Sequence, residues 1–143
     1  MKKLTAVFTL LLLTLSFGTV FAAEHNIVLH IDENDKKRMN LVLNNAANLN
    51  KYYQDKGDEA NIEVVAYGPG LKMYTMDSPV KKRITSFEQN FDNISFKACS
   101  NTHRKMSKKA GKKIKLVPQA QMVDSGAVHL VQRQEEGWAY LRP

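Results

Sequence analysis

The sequence predicts an α/β fold: a three-layer α/β/α sandwich on a mainly parallel sheet of about five strands. Three observations predict it. Short apolar runs alternate along the chain with segments of helical period. The first two of these runs are nearly continuous rather than alternating, which is the pattern of strands covered on both faces. The 143 residues are enough for one domain with one sizeable core.

The N-terminus is set apart from this pattern. Met1-Lys2-Lys3 is positive, Leu4–Ala23 carries no charge, and Val20-Phe21-Ala22 ends the run with a small residue suited to cleavage after Ala22. This is the layout of a secretory signal peptide. Residues 1–22 are therefore expected to be removed and 23–143 to form the mature domain, in the periplasm and without a stable membrane anchor. Loss of Lys2 and Lys3 lowers the net charge from +7 to +5. A basic exported protein is expected to meet small anions, headgroups or acidic proteins rather than nucleic acid.

Asn26–Asp32 reads as the first strand, and Asp32-Glu33-Asn34-Asp35 as the turn and acidic start of a helix reaching Lys56. Met39, Val42, Leu43, Ala46, Leu49 and Tyr53 give that helix one apolar face. Its many asparagines (Asn40, Asn44, Asn45, Asn48, Asn50) form either a solvated face or a contact face. Ile62–Tyr67 is the second strand. Gly68-Pro69-Gly70 then makes a tight turn that permits close backbone approach, and Leu71–Met76 reads as a short helix. Ser78-Pro79 starts another helix, with Val80, Ile84, Phe87 and Phe91 inward. Ile94, Phe96 and Ala98 alternate with Ser95 and Lys97 in a third strand.

A basic amphipathic helix follows, reaching to about Lys113, with Met106, Ala110 and Ile114 on one face and paired cations beside them. Gly111 weakens its end. Ile114–Val117 is expected as a brief fourth strand. Met122–Glu136 is expected as the last helix, with Val123, Ala127, Leu130 and Val131 inward. Trp138–Pro143 is the terminal strand.

The chain's one cysteine, Cys99, falls where the third strand meets its helix. In open α/β sheets ligands bind outside the carboxyl ends of the strands. A helix N-terminus favours a thiolate. Cys99 is thus a candidate nucleophile. Ser100, Asn101, His103 and Arg104 are candidate thiolate-stabilising or ligand-binding groups, with Gly68 and Gly70 in the neighbouring turn. Residue type alone leaves a second reading open, in which Cys99 is a small buried residue. One cysteine forms no internal disulfide.

Other chemistries lack their motifs. His25, His30, His103 and His129 have no metal-binding spacing, and His30 reads as a core histidine. No Gly-x-Ser-x-Gly elbow, Walker loop or EF-hand loop is present. No metal and no cofactor is expected.

Four stretches carry a family likeness: Ile62–Gly70, Phe96–Thr102, Leu116–Pro118 and Gln134–Pro143. Together they resemble the DsrE/DsrF-like family, the group associated with intracellular sulfur oxidation and sulfur relay, and within it the exported single-domain members. The resemblance implies the three-layer parallel fold and homo-oligomers (trimers or hexamers). It also implies a persulfide on a cysteine at a strand end, the position Cys99 matches, with a sulfur donor or acceptor protein as partner. The expected function is sulfur handling or relay, at most that of a sulfurtransferase-like carrier. The alternative is a non-catalytic module that binds a small anion or serves in assembly, with a structural cysteine. A third option is docking of the basic surface on anionic lipid.

Overall fold

The computed structural model describes residues 22–143, so the expected signal segment falls almost wholly outside the described residues. Five strands form one all-parallel sheet: β1 (Glu24–Ile31), β2 (Glu59–Ala66), β3 (Ile94–Cys99), β4 (Ala120–Val123) and β5 (Ala139–Leu141). Their order across the sheet is β4-β3-β2-β1-β5. Register is continuous across the centre, with Ile31 opposite Ala66 and Ala66 opposite Ala98.

Helices α1 (Lys36–Asp55), α2 (Lys81–Asn90) and α3 (Ser100–Lys109) connect consecutive strands, and α4 (Gly126–Glu135) carries the chain from β4 back to β5. The first three cover one face. There Ile27, Leu29, Ile62, Val64, Ile94 and Phe96 pack against Met39, Val42, Leu43, Ile84 and Phe87, with Met106 of α3 at the margin. The opposite face is covered thinly, by Leu130 of α4 and Trp138 over Val28, Val65 and Tyr67. The expected α/β/α layering follows, with unequal outer layers.

Alternation along β3 explains the arrangement. Ile94, Phe96 and Ala98 face the large core, so Ser95, Lys97 and Cys99 face α4. Asp35 caps α1 by accepting from the Arg38 N–H at 2.8 Å. The asparagines of α1 serve neither solvent nor ligand alone. Asn40 and Asn44 accept from Arg83 of α2 at 2.7 and 2.8 Å, and Asn50 is buried against Asn93. His30 is a core histidine, stacked on Tyr67 and bonded through Nδ1 to Tyr140 Oη at 2.7 Å.

Four boundaries differ from expectation. The fourth strand is Ala120–Val123, not Ile114–Val117. The earlier run is apolar because Val117 is buried in the core and Leu116 packs at its margin: the Val117 N–H donates to the Tyr74 carbonyl at 2.8 Å, and Leu116 bridges Thr75 antiparallel. The strand itself sits at the sheet edge and needs no apolar run. α4 begins at Gly126, so Met122 and Val123 belong to β4, while Ala127 and Val131 are exposed. α3 ends at Lys109, where Gly111 takes the left-handed conformation (φ 65°). α2 begins at Lys81, after Ser78 has accepted from the Val80 N–H at 3.3 Å.

Candidate functional site

At the carboxyl edge of the sheet, Cys99 holds two positions at once. It is the last residue of β3 and the N-cap of α3, its Sγ accepting the Thr102 N–H at 3.4 Å. The first residue of α4, Gly126, lies directly over it. A Cβ on Gly126 would fall 3.3 Å from Cys99 Cβ and 2.9 Å from Tyr67 Cβ, so only glycine lets α4 start there. The N-termini of two helices therefore converge on one sulfur.

Cys99 is only 4% exposed. Burial opposes the thiolate, but hydrogen bonds outweigh it: the Thr102 hydroxyl and the backbone N–H groups of Gly126, Thr102 and Asn101 hold the thiol below its ordinary value. Thr102 is itself positioned. The Gly68 N–H donates to Thr102 Oγ1 at 2.9 Å, leaving the hydroxyl proton for the sulfur. The Gly68 turn and the β3–α3 junction are thus joined through one threonine.

The other candidates divide. The Asn101 N–H faces the thiol but donates to the Asp124 carbonyl at 3.3 Å, and its side chain accepts from Arg104 at 2.6 Å on the surface. Ser100 opens α3, half-buried. The Nε2 of His103 donates to the Ile114 carbonyl at 2.7 Å, so this ring ties down the segment after α3. Gly70 serves the chain's own packing. A Cβ there would meet the Ile31 carbonyl oxygen at 2.4 Å, so glycine is what lets the 3-10 turn Gly68–Tyr74 press on the end of β1.

Thr102, Gly126 and Tyr67 were missed as site residues. Thr102 lies three positions after Cys99, the spacing of a cap and the N–H it accepts. Asp124-Ser125 before Gly126 is a helix-start signal that a helix drawn from Met122 overrides.

Beside this junction lies a cleft of about 470 Å³, lined among others by Asn34, Tyr67, Gly68, Lys72, Thr102 and Lys105. Thr102 is common to the cleft wall and the thiol's hydrogen bonds. Two lysines on the rim suit a small anion. Among the described residues no three His, Cys, Asp or Glu side chains gather as a metal site.

α4 is held down mainly by charge. Apart from Gly126 it buries only Leu130. Glu63 of β2, buried beneath it, accepts from His129 at 2.6 Å and from both Nε and Nη2 of Arg133 at 3.0 Å, with Lys97 3.5 Å away. Desolvation pushes the Glu63 carboxyl up, yet its bonds to Arg133 and His129, with Lys97 nearby, leave it below the ordinary value. Arg133 also lies over the Trp138 ring, 4.6 Å from its centroid.

No family model matches this chain, and no curated protein does. A solved structure does match. It is that of a protein of unknown function, MTH1491 from Methanobacterium thermoautotrophicum, 35% identical over 83% of this chain and 99% of that one, with a TM-score of 0.68. At that identity and coverage, the chain belongs to the same family as the Methanobacterium thermoautotrophicum protein MTH1491.

Proposed function

We propose that this protein is a sulfur carrier resembling the DsrE/DsrF-like family, exported to the periplasm and working as a homo-oligomer, with Cys99 as the carrying residue. The observation that carries the reading is the thiol held below its ordinary value beneath two helix N-termini. The Cys99 thiolate attacks the outer sulfur of a donor persulfide. A new S–S bond forms on Cys99, the donor's S–S bond breaks, and the donor leaves as a thiolate. The exchange needs no net oxidant, and its reverse delivers the sulfur to an acceptor thiol. Lys72 and Lys105 draw the anionic donor into the adjoining cleft.

The test is the pH dependence of Cys99 alkylation in the native protein, read by intact mass, followed by loading with a persulfide donor. Fast labelling with a midpoint below that of a free thiol, and a 32 Da gain (roughly one sulfur atom) that is absent in Cys99→Ser, are expected. A thiol that reacts only in denaturant, or sulfur uptake unchanged in Cys99→Ser, refutes the proposal.

The near-complete burial of Cys99 favours one second reading: a module that binds a small anion in the cleft, with a structural cysteine. That reading expects anion binding unaffected by Cys99→Ser.

A further inference from the structure

Charge is distributed very unevenly over this molecule. From Asn93 to Val123 the sequence contains no acidic residue. Within that stretch Arg104, Lys105, Lys108, Lys109, Lys112, Lys113 and Lys115 are all exposed. None of the seven enters an ion pair among the described residues, whereas Lys97 of the same stretch pairs with Glu63. Outside that stretch, residues 22–143 carry three more acidic than basic residues. The whole positive excess therefore stands on α3 and the loop after it.

The patch has an apolar border. Met76 and Met122 are nearly half exposed, at 44% and 47%. They line a shallow groove of about 550 Å³ whose rim carries Lys113 and Lys115. A second groove, of about 450 Å³, joins Met76 and the same two lysines to Lys112. Cations and exposed methionines thus share one continuous surface.

We infer that this surface docks the protein on an anionic lipid bilayer. Six of the seven cations are lysines on flexible stems, and none faces an aromatic ring among the cation–π contacts of the described residues. Lysine is depleted where proteins meet proteins, and arginine and aromatic side chains are enriched there. Specific nucleic-acid binding likewise draws on arginine forks and stacking rings. Clustered lysines beside partly exposed apolar side chains match a diffuse negative surface, where headgroups meet the ammonium groups and the methionines enter the interface. Each lysine near such a surface strengthens binding about fivefold. The inference is independent of the sulfur-carrier reading: it does not use Cys99, and Lys105 is the one cation of the seven that also lines the cleft beside it.

The experiment is co-sedimentation of the purified protein with vesicles of phosphatidylcholine containing about 30% phosphatidylglycerol, at about 50 mM and about 300 mM NaCl, since screening separates the two conditions. Binding at low salt, its loss at high salt and no binding to pure phosphatidylcholine are expected. The combined variant Lys108→Ala, Lys109→Ala, Lys112→Ala and Lys113→Ala should weaken binding by about a hundredfold or more. Arginine at the same four positions should retain it. Cys99→Ser should bind as the wild type does, so a failure here and a failure of the sulfur reading are told apart. Absence of sedimentation at low salt, or an alanine variant that binds normally, overturns the inference. So does tighter binding of duplex DNA or polyglutamate than of the vesicles at equal salt, which assigns the patch to another class of partner.

Discussion

Thr102 bears more of the site's electrostatics than the residue types around it announce. Its hydroxyl bonds the Cys99 sulfur while its oxygen accepts from Gly68. Thr102→Val should slow native alkylation of Cys99 at neutral pH by roughly three- to tenfold, whereas Thr102→Ser should restore the rate, because one net hydrogen bond is at stake. Gly70 answers to space rather than backbone freedom: Gly70→Ala drives a methyl into the Ile31 carbonyl and should cost about 2–3 kcal/mol in urea unfolding. His30 titrates the other way from a paired histidine. Burial lowers its value from the ordinary 6.5, with Asp32 opposing and Arg142 assisting. The unfolded chain therefore takes up this proton first, and stability is lost as pH falls below about 6.5 until the folded value is passed. His30→Gln should flatten that part of a stability-against-pH curve. Of these residues, Cys99 and the Gly68 turn could be read from the sequence, because a unique thiol and a Gly-Pro-Gly turn are visible without a fold. The link between them could not, since a threonine hydroxyl in a helix's first turn has many possible partners until the turn is set beside it.

α4 shows how an element with few buried apolar residues is fixed in place. Glu63 fastens it through His129 and Arg133, and its seating sets the Gly126 N–H over Cys99. Glu63→Ala should cost about 2–3 kcal/mol, leaving Arg133 and Lys97 without their counter-charge and His129 without its hydrogen-bond partner on a face only partly open to water. It should also slow Cys99 alkylation at neutral pH, a readout that a merely loosened core elsewhere would not share. The pH sign follows from the depressed carboxyl. Its contribution is present above the ordinary value of 4.5 and is lost as pH falls through the folded value. Acid unfolding of Glu63→Gln, followed by circular dichroism, should therefore be shallower than that of the wild type. The ionic anchoring also explains why α4 was hard to read. Its inward side is drawn by Leu130, His129 and Arg133, not by Ala127 and Val131, which are exposed and mislead a count of apolar spacing. β1, β2 and α1 were legible because they meet the large core on the side where apolar period and burial coincide.

At the scale of the molecule the two faces of the sheet are unequal, and the thin one carries apolar surface. Val128 and Val131 on α4, with Tyr140 on β5, are each at least 40% exposed. If the proposed homo-oligomer forms, this is the side on which copies of the chain would meet. Light scattering is expected to give a multiple of the 16.2 kDa chain mass, less any residues removed on export. Val128→Asp with Val131→Asp should shift it towards the monomer while leaving the fold intact. A monomeric wild type ends that assignment.

The strand order has a consequence in time. β1 pairs with β2 on one flank and on the other with β5, the last strand in chain order among the described residues, Ile27 meeting Ala139 and Leu29 meeting Leu141. As the chain leaves the ribosome, β1 keeps one open edge until β5, made more than a hundred residues later, emerges. The sheet therefore cannot close before β5 has been made, however early its central strands pair.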